Sequence, residues 1–172
     1  MKKKFYYISL KSTILILLLV CFQNITAQQF DSITDSRDGQ KYKVVKIGNQ
    51  WWMAQNLNYY TPAGSAHYNY NSITYSNIYG RLYSWTIANQ TCPSEWHLST
   101  HDDWKKLENY LGVSSSEYKG IGEHYYIGTN QGGILKDTVL WKLPNTGAQN
   151  SVGFSVIPAG LIRELVTSNK NY

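Results

Sequence analysis

Cysteine is nearly absent from this chain. Only two of its 172 residues are cysteines. Cys21 lies near the start, and Cys92 stands alone after it, so a framework of disulfide bridges is excluded. Long hydrophobic runs are also missing. The apolar stretch Ile14 to Phe22 covers nine residues, too few to span a bilayer as a stable helix. The chain has no Gly-rich phosphate loop, no nucleophile elbow and no His-Glu-x-x-His zinc motif. It also lacks internal repeats, heptads and long low-complexity tracts, which removes solenoids and coiled coils.

What is present begins with a targeting segment over residues 1–27. Lys2, Lys3, Lys4 and Lys11 form a basic start, Ile14 to Phe22 a short apolar core, and Ile25-Thr26-Ala27 a cleavage site before Gln28. Export to the periplasm, the cell surface or the medium is expected, with no transmembrane segment after cleavage. Lipidation at Cys21 is the alternative, but Val20 is larger than the small residue expected before a lipidated cysteine. The segment also explains the charge. Four of the 16 basic residues and none of the 11 acidic ones lie within it. The remainder therefore carries 12 basic against 11 acidic residues, a net charge of +1, and the basic balance gives no reason to expect a nucleic-acid or membrane-surface partner.

After a polar lead-in (28–34, with Gln28 to Ser36 weakly patterned), Asp38-Gly39 signals a turn. Lys41 to Ile47 alternates apolar residues with lysines. Gly48-Asn49 has hairpin chemistry, and Gln50 to Leu57 is predicted to return as the second strand, carrying Trp51, Trp52, Met53 and Leu57. Tyr59 to Tyr79 is rich in tyrosine among Asn, Ser and Gly, and reads as irregular loop. Tyr59, Tyr60, Tyr68, Tyr70 and Tyr75 form a candidate binding surface, since tyrosine offers large contact area at low entropy cost. The alternative is that they cover a small core. Gly80 to Asn89 reads as a short helix.

The stretch Cys92 to Gly112 carries the strongest local signal. Ser99 or Thr100 can cap a helix, and Asp103 lies three residues beyond Thr100, close to a capping-box pattern. Asp102 and Asp103 suit the positive end of its dipole, Trp104, Leu107 and Leu111 form one stripe, and Gly112 ends it. Later, Gly112 to Gly122 reads as loop, His124 to Ile127 as a short strand, Gly128 to Gly133 as turn, Pro144 to Asn150 as polar loop and Gly153 to Ile157 as strand. No catalytic residue, metal ligand or cofactor is expected. His97 and His101 are four apart, but His97 precedes the helix. Asp102 and Asp103 are adjacent and so diverge on it, and Cys92 has no cationic neighbour to lower its pKa.

The run Cys92-Pro93-Ser94-Glu95-Trp96-His97-Leu98, followed by Trp104 and Leu107, resembles the Fibrobacter succinogenes major paralogous domain. Three further blocks match in order: Asp35 to Tyr42 with Ile47 to Asn58, Tyr79 to Trp85, and Gly153 to Gly160. The resemblance identifies Trp51, Trp52, Trp85, Cys92, Trp96, His97 and Trp104 as the family-motif core of a domain over 35–172. Members usually carry glycine at the Glu95 position, proline at Ser99 and an aromatic at Leu161 or Ile162. They also continue beyond the Phe-Ser-x-x-Pro-Ala-Gly block to a final strand that often bears a cysteine. The chain stops 12 residues after Gly160, so the resemblance implies a domain incomplete at its C-terminus, with Cys92 lacking its usual partner. A complete short variant with a buried thiol is the other reading.

The motif is also similar to that of formylglycine-generating enzymes. This similarity implies an α+β, C-type-lectin-like fold with an N-terminal β-hairpin, two short helices, long loops and late strands. The catalytic cysteine pair of those enzymes has no match, and Leu143-Pro144-Asn145 lacks the acid of calcium-dependent lectin sites. The expected function is that of an exported, non-catalytic bacterial binding or surface module for a glycan or protein. The alternatives are an enzyme or enzyme remnant of the formylglycine-generating type, and a truncated domain without independent function.

Overall fold

The computed structural model describes residues 28–70, 72–114 and 128–162. The targeting segment, including Ala27, and the expected strand His124 to Ile127 lie outside the described residues, as do 115–122 of the expected loop.

Three antiparallel strands form the main sheet: β1 (Gln29–Thr34), β2 (Lys41–Ile47) and β3 (Gln50–Met53), in the order β1-β2-β3. The expected hairpin is present, with Ile47 opposite Gln50 and Val45 opposite Trp52. Gly48 adopts φ +60 as the first turn residue, the position that type II′ turns reserve for glycine. Its missing side chain also leaves room for Tyr110, since a Cβ there would sit 2.9 Å from the ring.

Strand β2 is the centre of the molecule. Tyr42, Val44, Val45 and Ile47 are all buried. Side chains alternate along a strand, so Val45 and Ile47 take one face and Tyr42 and Val44 the other. Val45, Ile47 and Trp52 pack with Leu107 into the core, and Phe154, Leu111 and Leu135 lie against it.

Two stretches differ from expectation on the N-terminal side. Gln28 to Ser36 is not a lead-in, because most of it forms β1. Its pairing runs from Gln29 opposite Lys46 to Thr34 opposite Lys41, and backbone pairing at a sheet edge needs little apolar payload. The return strand ends at Met53 rather than at Leu57. The Asp35-to-Tyr42 block joins β1 to β2 and carries an ion pair between the buried Asp35 and the more exposed Arg37. Arg37 Nε donates to Asp35 Oδ1 at 2.8 Å and Nη2 to Oδ2 at 2.5 Å, while the guanidinium lies 3.8 Å over the Tyr59 ring. Asp35 itself is buried, so this fork is what makes its charge tolerable.

A second, two-stranded sheet pairs β4 (Ser65–Ala66) with β5 (Leu82–Tyr83). Between them the chain makes a 3₁₀ turn, Tyr68–Tyr70, and helix α1, Ser72–Tyr79, so the tyrosine-rich stretch is not loop throughout. Gly80 to Asn89 is also not one helix. It divides into β5 and a single-turn helix α2, Trp85–Ala88.

Helix α3 (His101–Tyr110) forms where the capping pattern places it. Thr100 and Asp103 make a reciprocal capping box. Helix α4 (Gln131–Leu135) replaces part of the expected Gly128–Gly133 turn, which makes four α-helices among the described residues rather than two. Gly153 to Ile157 contributes a single parallel bridge, Lys136 to Val156. Left-handed φ values at Gly153 (67°) and Ser155 (59°) prevent a continuous strand. The Asn150 side chain fixes that bend, accepting from Ser155 N and donating to Ser155 Oγ, both at 2.9 Å. The molecule is thus a mixed α/β fold of small sheets and few short helices.

Candidate functional site

The loop from Thr91 to Thr100 links α2 to α3 and forms one wall of a cleft. Thr91 and Pro93 are buried, and Trp96 N donates to Pro93 O at 3.0 Å, which closes a tight turn. Glu95 sits in that turn at φ +68. Cys92 is half-buried, and its thiol donates to Ala88 O at 3.6 Å. Burial pushes its pKa up, which keeps it a thiol and a poor nucleophile.

Asp103 ties this loop to the helix and the sheet. Its Oδ2 accepts from Thr100 N at 3.0 Å and from Thr100 Oγ1 at 2.6 Å, and lies 2.9 Å from His97 Nε2. Its Oδ1 accepts from Gln50 Nε2 at 3.3 Å and has Lys106 Nζ at 3.9 Å. The Thr100 hydroxyl first, and His97 next, hold the carboxyl well below the usual carboxylate range. A depressed folded-state pKa stabilises fully above the unfolded value of about 3.9 and loses that contribution as pH falls. Thermal stability is therefore expected to drop on acidification below about pH 4. Asp103→Asn should flatten that decline and cost about 1 kcal/mol at neutral pH, typical of a lost cap. A melting-temperature series from neutral to acid pH checks both, and an unchanged acid limb in the variant would refute the assignment.

Strand β3 supplies the opposite wall and Phe154 to Ala159 the end, enclosing a cleft of about 950 Å³. Its floor is a ring trio. Trp52 lies 5.0 Å from Trp104 and 5.4 Å from Phe154 between centroids, and Trp104 lies 5.9 Å from Phe154, all tilted near 50°. Trp51 and Trp104 each keep 37% of their surface exposed, and Trp52 is nine-tenths buried in the wall. The Trp52 indole N–H finds no hydrogen-bond partner among the described residues.

The structure thus gathers most of the motif residues into one place. Trp51, Trp52, Cys92, Trp96, His97 and Trp104 all line the cleft. Trp85 does not, and stands 76% exposed on α2. Sequence reasoning missed the part played by Phe154, which completes the floor from a distant segment, and that of the side-chain amides of Gln50, Gln55 and Asn56 on the β3 side. No local pattern marks either.

The tyrosines fall into separate groups. Tyr59 is covered by Arg37, and Tyr60 lies 5.0 Å beneath Arg81. Tyr68, Tyr75 and Tyr79 pack on one another with centroids 5.5 to 6.4 Å apart, and Tyr68 rests on Gly160, where a Cβ would lie 2.7 Å from the ring. Tyr70 points outward, 76% exposed. Ala159 lines the cleft, so the Tyr68 plate adjoins its end wall through the neighbouring Gly160. Among the described residues no group of three or more His, Cys, Asp or Glu side chains comes together, and no helix is long and apolar enough to cross a membrane.

A family model described as the Fibrobacter succinogenes major domain matches residues 45–172. No curated protein and no solved structure matches the chain.

Proposed function

Since the chain belongs to the Fibrobacter succinogenes major domain family, we propose that it is an exported, non-catalytic binding module. Its glycan or protein ligand seats in the aromatic cleft, and the tyrosine plate of Tyr68, Tyr75 and Tyr79, with the outward Tyr70, continues the contact surface beside it. The observation that carries this reading is the gathering of the motif aromatics along one concavity, where Trp51 and Trp104 stay partly exposed and Trp104 packs on Trp52. A concave, mostly apolar site with a few convergent polar groups is the usual form of a binding pocket. The half-buried thiol of Cys92, raised in pKa by burial, supports contact over oxidation chemistry. The basic start, apolar core and Ala27–Gln28 junction of the N-terminal segment support export. The small sheets, short helices and long connections support a C-type-lectin-like arrangement.

The test is a binding screen of the purified protein on printed glycans and peptides. Any specific ligand is expected to lose at least about tenfold in affinity with Trp51→Ala, the size of effect produced by removing one aromatic anchor. Trp85→Ala, outside the cleft, should leave affinity intact. A ligand indifferent to both Trp51→Ala and Trp104→Phe, or turnover abolished by Cys92→Ser, would overturn the reading.

A further inference from the structure

The cleft reading extends to the chemistry of the ligand, and the inference that follows rests on it. We propose that the cleft takes an uncharged, equatorially substituted pyranose of a β-linked glycan and turns away acidic sugars.

Charge decides the first half. None of the described residues lining the cleft is lysine or arginine, whereas Asp31, Glu95 and Asp103 are among them. A uronate or phosphate entering there would lose hydration and meet no counter-charge. Lys106, outside the lining, approaches Asp103 at 3.9 Å with its side chain 66% exposed. Cationic ligands fare little better. The best-placed carboxylate, Asp103, already has its oxygens occupied by Thr100, His97 and Gln50, while Glu95 is exposed to solvent, where its charge is screened.

Shape and polarity decide the second half. Trp51 and Trp104 each line the cleft with part of their surface exposed, and Trp104 packs against Trp52 and Phe154. A pyranose whose substituents are all equatorial presents its axial C–H groups to such a plate and its hydroxyls to the rim. The polar groups beside the plates are neutral amides. Gln50 is committed to Asp103 and Asn56 to Tyr79 O at 3.0 Å. Gln55 is exposed, and among the described residues its side chain makes only a 3.5 Å contact, accepting from Lys43 N, which leaves its NH₂ to pair with a sugar hydroxyl. A volume near 950 Å³ lies at the upper end of the range for small-ligand sites, room for more than one ring.

Calorimetric titration of the full chain tests the proposal with four probes: cellotetraose, chitotetraose, fully deacetylated chitotetraose and a tetrameric cellouronate. A neutral tetraose is expected to bind at least about tenfold more tightly than the amine-bearing and uronate tetramers, with affinity unchanged between about 0.05 and about 0.5 M salt, because no charge pair contributes. Trp51→Ala should abolish the heat, Gln55→Ala should weaken binding several-fold, and Trp85→Ala should change nothing. If a charged tetramer binds equally or better in a Trp51-dependent manner, the ligand class is wrong while the cleft stands. If no tetraose binds, the class is equally overturned. Binding unaffected by Trp51→Ala and Trp104→Phe would remove the cleft itself.

Discussion

Leu107→Ala is expected to lower the unfolding free energy by about 2–5 kcal/mol. Leu107 is fully buried, and it joins Val45 and Ile47 of β2 and Trp52 of β3 in the core. It is the one residue of α3 that is wholly enclosed, so truncating it removes the helix's main attachment to the sheet. The cavity would lie beside Trp52, which is held in tilted ring contacts that cannot slide to fill it. Small domains are stable by about 5–15 kcal/mol, so the variant should melt far lower or fail to accumulate. Urea unfolding followed by tryptophan fluorescence checks this. A loss under about 1 kcal/mol would mean that α3 is not anchored through this side chain.

Gly80→Ala should cost about 2 kcal/mol or more. Gly80 has φ +65, a conformation that costs an L side chain about 1–2 kcal/mol. A Cβ there would also lie 2.7 Å from Leu57 O and 2.9 Å from Asn56 O. Those neighbours are backbone, which cannot rotate aside. The residue is further pinned by its own hydrogen bonds, with its N–H donating to Ser76 O at 3.0 Å and its carbonyl 3.0 Å from Nδ1 of the buried His67. Gly39 provides the control, since it has φ +76 but nothing within 4 Å of an added Cβ. Gly39→Ala should therefore show only the conformational cost, and the difference in unfolding free energy between the two variants isolates the steric part. Equal losses would show that Gly80 is required for its backbone angle alone.

What could be read from the sequence was local. The β2–β3 hairpin and the Thr100–Asp103 capping box each lie within a few residues, and both appear in the structure as expected. Strand β1 was not legible, because its pairing with β2 is decided by the partner and its own residues are mostly exposed. The stretch 153–157 looked like a strand, yet left-handed residues at Gly153 and Ser155 bend it, a conformation set by Asn150 rather than by propensity. Glu95 shows the converse. The family resemblance puts glycine there, and the observed φ of +68 is where glycine is at ease. As for the site, the motif residues were legible but their meeting place was not. Trp52, Trp104 and Phe154 come together only through tertiary packing, and no periodicity reports that.

The ring trio also bears on the order in which the chain gains its structure. The three-strand meander closes through short turns, whereas Trp52, Trp104 and Phe154 follow one another at intervals of about 50 residues, with Trp52 and Phe154 about 100 apart, so their meeting demands greater loop-closure entropy. Sheet and capped helix are local events, and the ring contacts are not. The cleft floor is thus built from contacts distant in sequence, and a nascent chain that has not yet delivered Phe154 holds a sheet and a helix but not the complete ring trio.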